Sequence, residues 1–171
     1  HVKDVLAHLR VFSNSKDELA WTRVLLLLEG IGEKTAERIL ENIKSKKNMI
    51  EILSEALNRY DSPDIKKLTL LFEKISDSSL SLEKTCDCVL EYYNPIFKEK
   101  FDDWRMRMND LEALRALCGE YASCEKLIAD LALERPTQRR GKYDTKKKSE
   151  TLTLSTIHSA KGLEWEVVFL I

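Results

Sequence analysis

Residues 18–43 read E-L-A-W-T-R-V-L-L-L-L-E-G-I-G-E-K-T-A-E-R-I-L-E-N-I, with two glycines between two amphipathic segments. On both sides of these glycines, apolar residues recur at intervals of three and four, which is the spacing of a helix with one buried face. Gly30 and Gly32 give the backbone the freedom to turn tightly between the segments. The pattern therefore predicts one helix ending near Leu28, a second helix from Glu33 to about Ile43, and a helix-hairpin-helix formed by the two.

The start of the second predicted helix has the chemistry of a phosphate-binding site. Its first backbone N–H groups and the positive end of its dipole would face the turn, where a DNA phosphate could approach without any base being read. Lys34 and Thr35 lie in the first turn and would add contacts, whereas Glu29 and Glu33 would repel phosphate. A helical hairpin that needs glycine only in order to turn explains the same residues, and the residues alone favour neither explanation.

The rest of the first 133 residues shows the same helical spacing, interrupted by short polar breaks. Ser15 and Glu18 are predicted to form a capping box for the helix that ends near Leu28. Asn94-Pro95 is predicted to stop a helix, because proline disfavours a helical conformation in the residue before it. We therefore predict a mainly helical domain whose other helices cover Val2–Phe12, Met49–Tyr60, Pro63–Ile75, Leu82–Tyr93, Ile96–Met108, Leu111–Tyr121 and Cys124–Leu133, with caps at Asn48, Ser62, Asn109 and Ser123.

The charge balance excludes a nucleic-acid-binding protein that is basic as a whole, and the hydropathy excludes a membrane-spanning helix. The 171 residues carry 28 Lys and Arg against 29 Asp and Glu, so the formal net charge is -1 and any nucleic-acid binding must rest on local patches. No apolar run reaches the roughly 20 residues of a membrane helix, and a cytoplasmic protein without a membrane partner is expected. The four cysteines lack the spacing of a zinc site and are expected to be reduced.

Residues 134–150 differ in composition from the helical part. They include Pro136, Gly141 and six basic residues within the ten positions 139–148, but few apolar residues that could be buried. Residues 135–150 are therefore predicted to form a basic, flexible linker. Attraction of a phosphate backbone is the alternative use of these charges.

Residues 151–171, T-L-T-L-S-T-I-H-S-A-K-G-L-E-W-E-V-V-F-L-I, predict a short strand-turn-strand. The alternation at Leu152 and Leu154 suits a half-buried strand, and the continuous apolar run 167–171 suits a strand buried on both faces of a parallel sheet. The polar turn between them stands at a strand end, where α/β proteins place functional side chains.

Residues 156–165, T-I-H-S-A-K-G-L-E-W, resemble motif V of the UvrD/Rep/PcrA-type DNA helicases of superfamily one, with Trp165 in place of the commoner Phe. Residues 1–11 resemble the segment by which the chain of these helicases passes into an inserted domain, 2B. The G-I-G turn stands where that domain carries one, and residues 112–121 and 127–133 resemble its last two helices.

The resemblance implies three parts: a helical 2B-like domain over 1–134, the basic flexible linker over 135–150, and a motif V segment of the α/β motor domain 2A over 151–171. It would place Lys3 and Asp4 at the seam between domains, although a solvated helix face is the simpler interpretation of these two charges.

The resemblance also implies roles for polar residues. His158 would contact the backbone of single-stranded DNA together with Thr156, and Lys161 would lie between the DNA and the nucleotide. Gly162 and Glu164 would bind the nucleotide, with Glu164 near its ribose. The contacts expected from the hairpin to duplex DNA are Gly30, Ile31, Gly32, Lys34 and Thr35. No catalytic or metal-binding residue is expected in this chain.

A parent protein of this family would be an ATP-dependent helicase that moves 3′ to 5′, unwinds duplex DNA in repair or replication, and uses ATP with Mg²⁺. Its expected partners are a single-stranded DNA track, a duplex junction, and repair or replication proteins at the nucleoid. The phosphate-binding sequence G-x-x-x-x-G-K-[ST] does not occur here, so the chain alone should not hydrolyse ATP. A stand-alone helix-hairpin-helix DNA-binding module and a helical protein-interaction domain are the alternatives.

Overall fold

The computed structural model describes residues 1–44, 48–76, 80–133, 156, 161 and 167–169, with the backbone alone at 42–44 and 133. Within these residues there are eight helices and no strand, which confirms the prediction of a mainly helical chain. The helices are α1 Val2–Ser13, α2 Glu18–Leu25, α3 Glu33–Lys44, α4 Met49–Tyr60, α5 Pro63–Ile75, α6 Leu82–Lys100, α7 Trp104–Glu120 and α8 Cys124–Leu133.

The chain divides into two units, His1–Leu133 and Glu134–Ile171. In the first unit, α1 is the central element, because it contacts α2, α6, α7 and α8. Its Val5, Leu9 and Val11 have no exposed surface, so α1 contributes to the core from several sides. Trp21 of α2 and Phe72 of α5 are also fully buried, and their ring centroids lie 5.9 Å apart, which links α2 to α5.

Capping explains several helix boundaries. The Asn48 side chain accepts from the Glu51 amide while the Glu51 carboxylate accepts from the Asn48 amide, which is the reciprocal capping box of α4. The predicted cap at Ser15 is wrong, since the Asp17 side chain accepts from the Ala20 amide at 3.0 Å. Asp17 lies next to the first helical residue, and its carboxylate also accepts from Arg10, so it satisfies two groups where Ser15 would satisfy one.

The helix α2 ends three residues earlier than predicted. The amides of Leu27 and Leu28 donate to the carbonyls of Val24 and Leu25, so the chain tightens into three-residue turns after Leu25. This tightening starts the bend that leads into the glycine turn.

Pro95 does not end a helix, which corrects the predicted boundary. α6 continues through it to Lys100. Pro95 and Glu91, whose carbonyl loses its donor, are both exposed, so water can satisfy that carbonyl. Tyr93 and Phe97 on either side are fully buried, and their packing outweighs the roughly 3 kcal/mol penalty of an internal proline.

The helix break falls instead at residues 101–103, between α6 and α7. The predicted cap Asn109 consequently lies inside α7, and the two helices predicted over 96–108 and 111–121 are wrong as separate elements. Leu111, Leu114 and Cys118 lie on one buried face of α7, at helical spacing.

Replacing Pro95 with alanine should raise the free energy of unfolding by about 1–2 kcal/mol. The new amide can donate to the Glu91 carbonyl, and this gain exceeds the loss of the stiffness that proline gives the unfolded chain. Urea denaturation followed by circular dichroism measures the change. Glu99→Ala, an exposed substitution in the same helix, should change stability by less than about 0.5 kcal/mol. A Pro95→Ala protein no more stable than wild type would contradict the expectation.

Asp4 is buried, which corrects its interpretation as part of a solvated face. Its side chain is 2% exposed and accepts hydrogen bonds from the Tyr93 hydroxyl at 2.6 Å and from Arg23 Nε at 2.7 Å. Burial alone raises the pKa of Asp4, but the hydrogen bonds from Tyr93 and Arg23 outweigh it and hold that pKa below its ordinary value. Lys3 is exposed as predicted. The Asp4 carboxylate therefore joins α1, α2 and α6.

The described residues of the C-terminal apolar run differ from the prediction of a buried strand. Val167, Val168 and Phe169 are not in a strand and are exposed by 69%, 62% and 80%. A strand buried on both faces needs neighbouring strands, and the described part of the chain supplies none. The other residues of the predicted strand-turn-strand lie outside the described residues, apart from Thr156 and Lys161.

All four cysteines are free thiols on helices, and Cys86, Cys118 and Cys124 are buried. The Cys124 thiol donates to the Leu9 carbonyl at 3.3 Å, so it ties α8 to α1. Across the ranges given above, no helix combines the length and the hydropathy needed to cross a membrane.

Candidate nucleic-acid interface

The turn between α2 and α3 combines an exposed surface with a buried anchor. Gly30 has a φ of 74°, in the left-handed region that glycine adopts at little cost. Ile31 is only 8% exposed, and its amide donates to the Leu28 carbonyl at 3.3 Å. Gly30 and Gly32 are exposed on either side of it. The Ile31 side chain therefore holds the turn against the core, and the two glycines form its outer surface.

Gly32 immediately precedes α3 and leaves open space in front of the turn. Its carbonyl accepts from the Thr35 amide at 3.1 Å and from the Ala36 amide at 2.9 Å. A Cβ placed on Gly32 would meet no atom within 4 Å. Glycine is therefore not required here by the packing of this chain, and the space is available for the close approach of a partner.

The first turn of α3 directs polar groups outward. Lys34 and Glu33 are exposed and Thr35 is half-buried, whereas Ala36 and Ile39 are 1% exposed and face the core. By their position in the helix, the amides of Glu33 and Lys34 precede the first intrahelical bond. The structure thus brings the five hairpin residues predicted for the site into one turn, with Ile31 placed inside as an anchor.

The turn between α2 and α3 is also held from α5, through a residue that the sequence did not indicate. The Glu29 amide donates to Asp64 Oδ2 at 3.1 Å, and Lys67 Nζ donates to Asp64 Oδ1 at 2.9 Å. Glu29 and Asp64 are 35 positions apart. No local sequence pattern predicts a contact over that separation. Only the packing of α5 beside the turn reveals it.

Charges of both signs lie at the turn. The hydrogen bond from Lys67 holds the pKa of Asp64 below its ordinary value, so the carboxylate is ionised at neutral pH. The acidic groups at the turn or bonded to it are Glu29, Glu33 and Asp64, and the basic groups are Lys34 and Lys67. A phosphate would therefore be held by individual donors rather than by a broad positive field.

Thr156 and Lys161, the predicted site residues described in the second unit, are both exposed, and Lys161 lies in a turn. His158, Gly162 and Glu164 lie outside the described residues. Where side chains are described, no three His, Cys, Asp or Glu residues are grouped so that they could share a metal ion.

Comparison with known proteins places these features in a family context. The family model described as "UvrD-like helicase C-terminal domain" matches residues 1–171. The ATP-dependent DNA helicase PcrA of Bacillus subtilis (strain 168) is 27% identical over 192 residues, covering 99% of this chain and 25% of the relative. DNA helicase II of Rickettsia typhi is 26% identical over 183 residues, covering 99% of this chain and 27% of the relative.

A third relative, the PcrA helicase of Staphylococcus aureus (strain NCTC 8325), is 25% identical over 189 residues, covering 99% of this chain and 25% of its own length. The chain thus spans about a quarter of the length of the curated relatives it matches. No solved structure matches the chain at comparable stringency.

Proposed function

Because the chain belongs to the UvrD-like helicase C-terminal domain family, we propose that it is the accessory 2B domain of an ATP-dependent DNA helicase, joined to the motif V segment of the motor domain 2A. The parent helicase would move 3′ to 5′ along single-stranded DNA and unwind duplex DNA during repair or replication. The names of the relatives, which are DNA helicases matched over 99% of this chain, support the proposal.

The hairpin is the proposed contact to duplex DNA at the junction. The observation that carries this role is the open space at Gly32, beside the first amides of α3. A sugar-phosphate backbone could approach those amides closely, with Lys34 and Thr35 supplying further donors. Such contacts read no base sequence, as a helicase that unwinds any duplex requires. The formal net charge of -1 fits a small local contact.

Motif V would connect the DNA to the nucleotide. In this proposal Thr156, His158 and Lys161 hold the backbone of single-stranded DNA, and Gly162 and Glu164 lie toward ATP. The ATP and Mg²⁺ would be bound mainly by residues outside this chain, since the sequence G-x-x-x-x-G-K-[ST] is absent from it. The chain alone is therefore expected to bind DNA without hydrolysing ATP.

Gly32→Val should weaken the binding of a duplex with a single-stranded tail by about tenfold, equivalent to roughly 1.4 kcal/mol. The added side chain occupies open space, so the hairpin should still fold while the DNA backbone is kept away. Fluorescence anisotropy measures the affinity of the 171-residue chain, and circular dichroism checks the fold.

The matched control is Gly119→Val on α7, where the nearest atoms that a new Cβ would meet belong to the Glu83 side chain, at an ordinary 3.7 Å. It should bind the tailed duplex like wild type. Equal affinity for wild type and Gly32→Val would remove the hairpin from the DNA site. Affinity that does not fall with added salt would favour the protein-interaction alternative.

A further inference from the structure

The start of α5 places Lys67 beside the glycine turn. Lys67 is exposed and is joined to the backbone of the turn through the carboxylate of Asp64. One oxygen of that carboxylate accepts from Lys67 and the other from the amide of Glu29, the residue immediately before Gly30. The ammonium group of Lys67 is therefore a neighbour of the turn although it belongs to another helix.

We propose, on the basis of the proposed function, that Lys67 is a second phosphate contact of the duplex-binding surface and that Asp64 is a positioning residue for both Lys67 and the glycine turn. A lysine ammonium has three donors, and Asp64 takes one of them. The Lys67 side chain is 67% exposed, so its other donors face solvent and can reach a phosphate.

The same arrangement places a cation beside Glu29. In the sequence, Glu29 stands beside the turn as an uncompensated negative charge. In the structure, Lys67 lies close enough for Glu29 to raise the pKa of Lys67, after the larger contributions of the hydrogen bond and the charge of Asp64. A cation from α5 thus lies beside the acidic residue at the point where the DNA backbone would pass, and the three charges of Glu29, Asp64 and Lys67 sum to -1.

Lys74 provides a matched control on the same helix. Its side chain is 58% exposed and donates to Glu91 Oε2 at 3.1 Å, so it resembles Lys67 in exposure and in having a carboxylate partner. Its partner belongs to α6 and not to the hairpin. Exposed ion pairs contribute little to stability, so neither Lys67→Ala nor Lys74→Ala should unfold the chain.

The test is the salt dependence of binding to the tailed duplex. Each phosphate contact contributes about 0.9 to the slope of log affinity against log salt. For a fourfold rise in salt, the loss of affinity should therefore be about threefold smaller for Lys67→Ala than for wild type. Lys74→Ala should keep the wild-type slope.

A conservative variant of Asp64 distinguishes its positioning role from an effect on overall stability. Asp64→Ala removes the acceptor of the Glu29 amide, whereas Asp64→Asn keeps an oxygen that can accept from it. Hydrogen exchange at the Glu29 amide should therefore accelerate in Asp64→Ala and stay close to wild type in Asp64→Asn, and DNA affinity should fall more in the alanine variant.

The outcomes distinguish this inference from the proposed function. If Gly32→Val weakens binding but Lys67→Ala and Lys74→Ala share the wild-type salt slope, Lys67 is not a DNA contact and the hairpin proposal stands. If Asp64→Ala leaves the Glu29 exchange rate unchanged, Asp64 does not position the turn. If the wild-type chain shows no salt-dependent binding at all, the proposed function fails and this inference fails with it.

Discussion

Asp4→Ala is expected to lower the free energy of unfolding by about 3 kcal/mol, because it removes two charge-assisted hydrogen bonds from a buried position. The hydroxyl of Tyr93 would lose its acceptor, and burial together with Asp4 raises the pKa of that hydroxyl, so it remains a donor over the working pH range. The Arg23 side chain is 46% exposed and can regain water. Most of the loss should therefore come from the orphaned hydroxyl and the cavity.

Urea denaturation at neutral pH measures this effect, and the neighbouring substitution Lys3→Ala is the control. Lys3 is exposed on the same helix, so its removal should change stability by less than about 0.5 kcal/mol. A double-mutant cycle of Asp4→Ala with Tyr93→Phe should give a coupling energy of about 1–2 kcal/mol. Strictly additive single-mutant effects would show that the 2.6 Å contact contributes nothing to stability.

The second large effect is an acid-induced loss of stability that arises from His8. The ring is fully buried, and Nδ1 lies 2.8 Å from the Asp4 carbonyl oxygen, which can only accept, so Nδ1 carries the proton. Nε2 is buried and has no hydrogen-bond partner among the described residues. Burial disfavours the charged ring and lowers the pKa of His8 from 6.5 to about 4.

The direction of this pH effect on stability follows from comparing the protonation of His8 in the folded and unfolded states. Below pH 6.5 the unfolded chain binds a proton at His8, whereas the folded chain stays neutral until about pH 4, so protons favour unfolding across this window. Each tenfold difference in proton affinity is worth about 1.4 kcal/mol, so the full loss should be about 3 kcal/mol. The contribution of Asp4 has the same direction but begins near its unfolded pKa of 3.8, at the acidic end of that window.

Thermal unfolding measured at several pH values between 7 and 4 tests this expectation against His8→Gln, which cannot gain a proton. The difference in stability between wild type and His8→Gln should shift in favour of the variant as the pH falls. His1, which is half-buried beside Asp110, provides the matched control as His1→Gln. Parallel pH curves for wild type and His8→Gln would show that His8 is not the responsible group.

The candidate site was found only in part from the sequence. The glycines, Lys34 and Thr35 were identified because they are neighbours in the chain and follow a helical pattern. The contact that holds the turn from α5 was not predicted from the sequence, because Asp64 and Glu29 are 35 positions apart. The burial of Ile31 and the open space at Gly32 likewise depend on packing, which no local pattern records.

The successes and failures in predicting the helix boundaries have a similar explanation. The cap at Asn48 was predicted correctly, because a capping side chain and the amide it accepts from lie within one turn of helix. Pro95 was predicted to end a helix, and the burial of Tyr93 and Phe97 overrides its local preference. Local rules hold where the interacting groups are close in sequence and fail where a distant contact has the larger free energy.

Residue order alone was enough to establish a chain of amphipathic helices with a glycine turn, because helical periodicity and capping act over three or four residues. The folded arrangement settled which charges are buried and which face solvent, since those properties depend on elements that meet across the molecule. Asp4 reads as a surface charge in the sequence, yet Tyr93 donates to it from 89 positions away. The burial of a side chain depends on how the helices pack together and cannot be determined from one helix alone.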